Sequence, residues 1–150
     1  MTAPVFVDTN VVVYRFDSSE PDKQRMAQRW LDRLWTARAG RVSTQVLHES
    51  YATLTRKLSM PKAEARQIVR ALQAWDPVVL DEGVLERAFH LEDRWTLAWW
   101  DSLIVAAAFA SGAPFLLSED LQSGQDFEGV RVIDPFSVSP DTVVPVADRA

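Results

Sequence analysis

The sequence predicts an α/β fold with a central parallel sheet of four to five strands that helices cover on both faces. Short, wholly apolar segments such as VFV at 5–7 alternate with longer segments of helical periodicity. Wholly apolar strands are typical of parallel sheets, because both faces of such sheets are buried. The chain has 150 residues, 47% of them hydrophobic, which suits one domain with a substantial core.

The N-terminal part of the chain contains two predicted strands and four predicted helices. Val5–Val7 is the first strand, and 10–16 is a short helix, although its three consecutive valines also suit a strand. Proline at a first turn and apolar residues at helical spacing identify the longer helices. These elements are a helix from Pro21 to about Arg38 that Gly40 ends, a strand at 41–43, a helix that Thr44 caps, and a helix that begins at Pro61.

The C-terminal part continues the alternation. Asp76-Pro77 ends the preceding helix, because proline disfavours helical backbone at the residue before it. The elements that follow are a buried strand at 78–80, a helix at 83–95, a helix from Asp101 to 111–112, a strand at 114–117, a polar turn at 118–120 and a strand at 130–133. We assign 1–136 to one domain and 137–150 to a loosely ordered C-terminal tail, which has few large residues.

The composition excludes several classes of protein. The chain has no cysteine, which excludes disulfides, thiolate zinc sites and a cysteine nucleophile. Neither a signal peptide nor a run of 18 apolar residues is recognisable, so we expect a cytoplasmic protein without a membrane span. The net charge is −5, and a phosphate-bearing substrate would therefore need local basic residues or bound cations to approach.

Two carboxylates follow predicted strands. Asp8 comes directly after the first strand, and Asp120 closes the turn after the strand at 114–117. The carboxyl ends of parallel strands meet at one edge of a sheet, where ligands bind, so we expect both side chains there. Aspartate also occurs in ordinary turns, and Glu119 or Asp126 could take the role of Asp120.

Two further acidic candidates lie on predicted helices. Asp101 precedes an almost wholly apolar helix and should therefore face protein, although an aspartate there can also be a simple cap. Glu49 lies on the side of its helix opposite Tyr51 and Leu54. No Lys or Arg three or four positions away offers Glu49 a local salt bridge.

Convergence of these acids would have an electrostatic consequence. Two carboxylates about 5 Å apart repel by roughly 3 kcal/mol at an effective dielectric constant near 20. Folding would then raise some of their pKa values or recruit a cation. Ligation by oxygen alone selects hard ions, Mg²⁺ or Mn²⁺ over zinc.

Four segments together resemble the PIN-domain ribonucleases, and most of all the VapC-type toxins of bacterial toxin–antitoxin pairs. They are FVDTN, the glutamate of QVLHESY, WWDSLIVAAA and LLSEDLQSGQDFEGVRVIDPF, in family order over about residues 4–136. The resemblance implies a three-layer α/β/α domain and a metal-dependent endoribonuclease.

The resemblance also implies roles for the four acids. The residues at the matching positions are Asp8, Glu49, Asp101 and Asp120. Asp8 and Asp101 would bind Mg²⁺, or Mn²⁺ in its place, and Asp120 would bind it directly or through water. Glu49 would complete the site or orient the attacking water.

The implied reaction is in-line attack of metal-activated water on an RNA phosphodiester. Thr9 and Asn10 would hold the turn at Asp8 by hydrogen bonds. The RNA target, the antitoxin and the choice between one and two metal ions stay open.

The resemblance further implies a homodimer and a cognate antitoxin whose segment lies in an apolar groove near the site. The helix at 21–38 is the candidate wall of that groove. Its apolar side chains are Met26, Trp30, Leu34 and Trp35. Three other tryptophans, at 95, 99 and 100, precede Asp101; core packing is the favoured role for such rings, and an interface is the alternative.

Basic residues and histidines have less specific roles. Arg25, Arg29 and Arg33 form a ridge along one helix face, and a second basic segment runs over 56–70. Both are expected to be solvated faces, although the second could guide RNA phosphates. His48 and His90 have no spaced partner, and we assign neither to the chemistry.

Two other functions compete with the nuclease. An aspartate-based phosphoryl-transfer enzyme is the weaker one, because phosphatases of the haloacid dehalogenase type need a second aspartate where Asn10 stands, and receivers need a lysine that 114–118 lacks. A non-catalytic PIN-like binding module would keep the fold for partner contact alone.

Overall fold

A five-stranded sheet forms the centre of the computed structural model, which describes residues 2–146. The strands are β1 (Val5–Val7), β2 (Gly40–Arg41), β3 (Phe115–Leu117), β4 (Asp126–Phe127) and β5 (Val130–Ile133). Their order is β2-β1-β3-β5-β4, and all pairs are parallel except β4 with β5. The predicted parallel sheet is thereby confirmed, with an antiparallel edge strand, β4, that the sequence did not predict.

Six α-helices within the described residues flank this sheet. They are α1 (Thr9–Tyr14), α2 (Pro21–Ala37), α3 (Thr44–Arg56), α4 (Lys62–Leu72), α5 (Glu82–Trp95) and α6 (Trp99–Ala110), with 3₁₀ turns at Gln73–Trp75 and Pro140–Thr142. All three residues of β1 are fully buried. Because successive side chains of a strand point to opposite faces, helices cover the sheet on both sides, as predicted for three layers. Within the described residues, no helix is long and apolar enough to cross a membrane.

The short helix α1 forms despite three consecutive valines. β-Branched residues are weak helix formers, but Val11, Val12 and Val13 are all buried in the core. Asp8 caps the helix, since its side chain accepts a hydrogen bond from the amide of Thr9. Tertiary burial and the cap therefore decide the conformation, as is usual for short helices.

The end of α2 agrees with the prediction, but Gly40 does not terminate the helix. The helix ends at Ala37, and Arg38, whose left-handed backbone has a φ of 54°, is its C-cap residue. Gly40 instead belongs to β2, and a Cβ atom there would lie 2.6 Å from the ring of Trp75. The glycine is thus required for close packing of an aromatic ring on the strand.

The segment 78–80 is not a strand of the sheet, which corrects the prediction. Only Val78 forms a β-bridge, with Ser43 just beyond β2, and Val79 is 64% exposed. The segment is too short to extend the ladder, because Asp81 turns the chain to cap α5.

The predicted helix starts, except that of α2, shift by one or two residues. Ser43, and not Thr44, caps α3, because its hydroxyl accepts from the amide of Val46. Pro61 precedes α4 as its cap residue. Helix α6 begins at Trp99, so Asp101 lies inside its first turn.

Parts of the segment 138–144 contact α2, whereas Pro145 and Val146 are exposed, and the division into a domain and a tail stays a prediction. Val144 is fully buried, and its carbonyl accepts a 2.7 Å hydrogen bond from Arg33. Arg29 and Arg33 both pair with Asp141, which neutralises part of the predicted basic ridge. The prediction of a loose tail also covers 147–150, which lie outside the described residues.

Candidate active site

The four predicted carboxylates line one cleft at the carboxyl edge of the sheet. The cleft has a volume of about 450 Å³. Asp8 and Asp120 reach it from the ends of the adjacent parallel strands β1 and β3. Helices α3 and α6 contribute Glu49 and Asp101 to the lining of the same cleft. Side chains separated by more than a hundred positions are thus brought together, as the sequence predicts.

Asp8 is the most buried of the four, with 5% of its surface exposed. Its Oδ1 accepts a 2.7 Å hydrogen bond from the Thr9 amide, and its Oδ2 accepts one of 2.8 Å from the Ser118 hydroxyl. Burial raises the pKa of Asp8 to about 7. These two hydrogen bonds oppose that rise, while the charges of Asp120 and Glu49 add to it.

The side chain of Asn10 lies between two of the carboxylates. Its Nδ2 donates to Oδ2 of Asp120 over 3.1 Å and lies 3.4 Å from Oδ2 of Asp8. Its Oδ1 accepts from the backbone amide of Glu119, which fixes the orientation of the amide group. Asn10 thus supports the turn at Asp8, as predicted, and also joins β1 to the turn after β3.

Glu49 and Asp101 have different surroundings. Oε1 of Glu49 accepts a 3.1 Å hydrogen bond from the hydroxyl of Thr9, so Thr9 contacts two acids through two different groups. Burial, followed by the charge of Asp120, raises the pKa of Asp101. The cleft therefore holds at least two carboxyl groups whose ionisation folding disfavours.

The structure distinguishes the three acids that compete at the Asp120 corner. Glu119 forms an ion pair with Lys23, although it still lines the cleft. Asp126 lies in β4 and accepts from the amide of Gly129 in a turn, away from the cleft. Among the three, Asp120 is the residue that the side chain of Asn10 joins to Asp8.

The carboxylate oxygens of the cleft are suitable ligands for a hard cation, but they are not arranged closely enough to enclose one. All four candidate side chains offer oxygen, which Mg²⁺ and Mn²⁺ prefer. Within residues 2–146, however, no three acidic or histidine side chains are grouped closely enough to hold one metal ion. The side-chain amide of Asn10 lies between Asp8 and Asp120 and keeps the two carboxylates apart. Its hydrogens contact both carboxylates at the position that a cation would take.

Sequence reasoning missed some residues of the cleft. Ser118 is fully buried and contacts Asp8, and Gln45 lies one helical turn before Glu49 on the same wall. Gln45 could have been predicted, because a residue four positions before Glu49 lies on the same face of the helix. No local sequence pattern distinguishes Ser118 from any other serine after a strand. Only the pairing of β1 with β3 shows that it contacts Asp8.

A second cleft, lined mostly by apolar side chains, lies between α2 and α4. Trp35 is half-exposed and lines it together with Leu31 and Ile68. Trp30 and Leu34 are fully buried in the core, which corrects their prediction as groove-lining residues. The indole of Trp30 donates to the carbonyl of Pro135, so this face of α2 points inward.

The fold and the cleft define an α/β protein with an acidic site at the ends of adjacent parallel strands. The sequence model of the PIN domain matches residues 5–125, and the chain therefore belongs to the PIN-domain family. A solved toxin–antitoxin complex from Klebsiella pneumoniae has a chain with a similar fold, at a TM-score of 0.64 and 17% sequence identity. That match covers 89% of this chain and 99% of the other. The comparison with curated proteins finds no match.

Proposed function

We propose that this protein is a Mg²⁺-dependent endoribonuclease and the VapC-type toxin of a toxin–antitoxin pair. The observation that carries the proposal is the convergence of Asp8, Glu49, Asp101 and Asp120 on one cleft. Membership of the PIN family supports a nuclease, because PIN domains are generally metal-using nucleases. The raised pKa of Asp8 supports a site that gains from a bound cation.

Asp8, Asp101 and Asp120 would hold the ion, with Mn²⁺ able to replace Mg²⁺. A cation bound there would polarise the scissile phosphate and lower the pKa of a bound water. Glu49, which the Thr9 hydroxyl orients, would accept a proton from the attacking water or position it. The Ser118 hydroxyl and the Thr9 amide would keep Asp8 ionised and aimed at the cleft.

The partners are also proposals. The fold is similar to that of a chain in a toxin–antitoxin complex, which supports an antitoxin as partner. An apolar antitoxin segment would occupy the cleft beside Trp35. We propose that the toxin acts in the cytoplasm as a homodimer.

RNA cleavage by the purified protein tests the function. We expect cleavage with Mg²⁺ that EDTA abolishes, and a loss of at least about 100-fold in Asp8→Asn and in Asp101→Asn. Asp126→Asn is the matched control, because Asp126 is acidic but lies away from the cleft, and it should retain activity. Undiminished Mg²⁺-dependent cleavage by both cleft variants would exclude the proposed site.

One observation favours a second candidate, a non-catalytic binding module. The acids within residues 2–146 are not grouped tightly enough to enclose an ion. Such a module would show no cleavage in the wild type, and Trp35→Ala, but not Asp8→Asn, would weaken its partner binding.

A further inference from the structure

A lysine that does not itself line the acidic cleft contacts the turn that carries Asp120. Lys23 lies in the first turn of α2, and its ammonium group forms an ion pair with Glu119, the residue before Asp120. The other three acids lie on a helix or cap one, whereas Asp120 lies between β3 and β4, outside any helix or strand. The position of Asp120 therefore depends on contacts made by side chains.

Two aromatic rings hold the ammonium group of Lys23 in place. Its Nζ lies 4.9 Å from the centre of the Tyr14 ring and 5.4 Å from that of the Phe136 ring, and it donates to the Tyr14 hydroxyl over 3.4 Å. The two rings pack edge to face with their centres 5.1 Å apart. Because a cation is attracted to the face of an aromatic ring, these contacts keep the ammonium group beside Glu119.

Asn10 contacts the same turn, but it does so at the position that a cation would take. Its Oδ1 accepts from the Glu119 amide over 3.3 Å, and its Nδ2 donates to Oδ2 of Asp120 over 3.1 Å. An ion at Asp120 would compete with the second contact, because the ion and Nδ2 both need a carboxylate oxygen of Asp120. The ammonium group of Lys23 bonds to Glu119 instead, so an ion at Asp120 leaves this contact intact.

Lys23 differs in this respect from the other basic residues of α2. Arg25 pairs with Asp22 in the same part of the helix, and Arg33 pairs with Asp141 in the segment after β5. Among the ion pairs of the described segment, only that of Lys23 includes a residue that lines the acidic cleft. A role of Lys23 in the geometry of the cleft therefore has a direct structural basis.

We propose that Lys23 is a positioning residue, which acts through Glu119 to hold the turn after β3 so that Asp120 faces the other acids. This inference rests on the proposed ribonuclease function and adds to it a residue that touches neither the RNA nor the ion. Residues that orient a metal ligand from behind typically contribute about 10- to 100-fold to metal affinity or activity. Loss of Lys23 should therefore weaken ion binding and lower kcat, while KM stays unchanged because the contacts with RNA remain.

Lys23→Met, which removes the charge and keeps an unbranched side chain, tests the inference. We expect the Kd for Mn²⁺, measured by electron paramagnetic resonance, to rise about tenfold and kcat for RNA cleavage to fall about tenfold. In the metal-free protein, hydrogen exchange should accelerate in 118–125 but not in β1 or α6. Lys23→Arg should restore most of these values, and Arg25→Met, which removes another ion pair of α2, should leave them unchanged.

The sign of the change in Mn²⁺ affinity separates positioning from simple charge. Loss of a positive charge near the cleft would by itself favour a cation, so tighter Mn²⁺ binding by Lys23→Met would overturn the inference. Unchanged exchange in 118–125 would overturn it as well.

Glu119→Gln separates positioning from a direct contact between Lys23 and RNA. Because Lys23 acts through Glu119, this variant should reproduce the changes of Lys23→Met, and the double variant should add nothing to them. A higher KM in Lys23→Met that Glu119→Gln does not share would overturn the inference. A wild type that neither binds Mn²⁺ nor cleaves RNA rejects the proposed function, and hydrogen exchange in 118–125 then still tests the role of Lys23.

Discussion

The Ser118 hydroxyl donates a 2.8 Å hydrogen bond to Oδ2 of Asp8 and thereby joins the ends of β1 and β3. The Oγ atom of Ser118 also accepts a 3.1 Å hydrogen bond from the backbone amide of Asp120. One fully buried hydroxyl thus connects the carboxylate of Asp8 to the backbone amide of Asp120. The geometry of the acidic cleft depends on this contact as much as on the acids themselves.

Ser118→Ala should destabilise the protein by about 1–3 kcal/mol at pH 8, because ionised Asp8 loses a buried donor. At pH 5 the loss should be smaller, since folding keeps Asp8 protonated there and the carboxyl group needs fewer donors. Urea unfolding at the two pH values measures the difference. Ser137→Ala, which removes an exposed hydroxyl that donates to Asp134, is the control and should change stability little. A loss that is equal at both pH values would contradict the role given to Asp8.

The metal-free protein should lose stability as the pH rises from about 4 to about 7. Burial raises the pKa of Asp8 from 3.8 to about 7, so the folded state binds more protons than the unfolded state in this range. At 1.36 kcal/mol per pKa unit, the free energy of unfolding should fall by up to roughly 4 kcal/mol. Asp101, whose pKa is also raised, should add to the slope.

Asp8→Asn removes this titration, so its melting temperature in EDTA should fall less than that of the wild type between pH 5 and pH 8. Calorimetry at several pH values measures both proteins. At pH 8 the variant should be the more stable of the two. Parallel curves for both proteins would show that Asp8 does not carry the unfavourable charge.

Lys23 should contribute to stability by neutralising Glu119 at the rim of the cleft. The two side chains form an ion pair, and each is about one-third exposed. Solvent therefore screens the pair, and a double-mutant cycle of Lys23→Met and Glu119→Gln should give a coupling of about 0.5–1 kcal/mol. Urea unfolding of the four proteins measures it. Additive effects would mean that the pair does not form in solution.

Two glycine substitutions should change stability in opposite directions. A Cβ at Gly40 would lie 2.6 Å from the Trp75 ring, so Gly40→Ala should cost about 1–3 kcal/mol. Gly83 lies in α5, where a Cβ would meet only Oδ1 of Asp81 at 3.4 Å. Gly83→Ala should therefore stabilise by about 0.5–1 kcal/mol. Urea unfolding measures the stability of both variants. An unchanged free energy of unfolding in Gly40→Ala would contradict the packing of Trp75 on β2.

Local pattern was sufficient to predict most of the elements, whereas the resemblance to a known family singled out the four acids of the cleft as a set. The apolar run of β1 and the periodicity of α2 each depend on neighbours in sequence, and both were correctly predicted. Asp8 and Asp120 follow adjacent parallel strands, so a general rule of such sheets was enough to place them together.

Features that depend on distant packing were not predicted. The role of Gly40 depends on the ring of Trp75, and the role of Trp30 depends on the segment after β5. No local pattern connects either residue to its partner. The segment 78–80 is apolar, yet its position beside the end of β2 leaves room for only one bridge. The contact of Ser118 with Asp8 likewise requires the strand order.

Anomalous diffraction from a crystal soaked in Mn²⁺ tests the central claim most directly, since the claim is that Asp8, Asp101 and Asp120 hold a divalent ion beside Glu49. We expect a peak in the cleft within bonding distance of Asp8 and Asp101, with the Asn10 amide displaced from between Asp8 and Asp120. Crystals of Asp8→Asn should lack the peak. Absence of any peak in the wild-type cleft at saturating Mn²⁺, with the Asn10 contacts unchanged, would contradict the account.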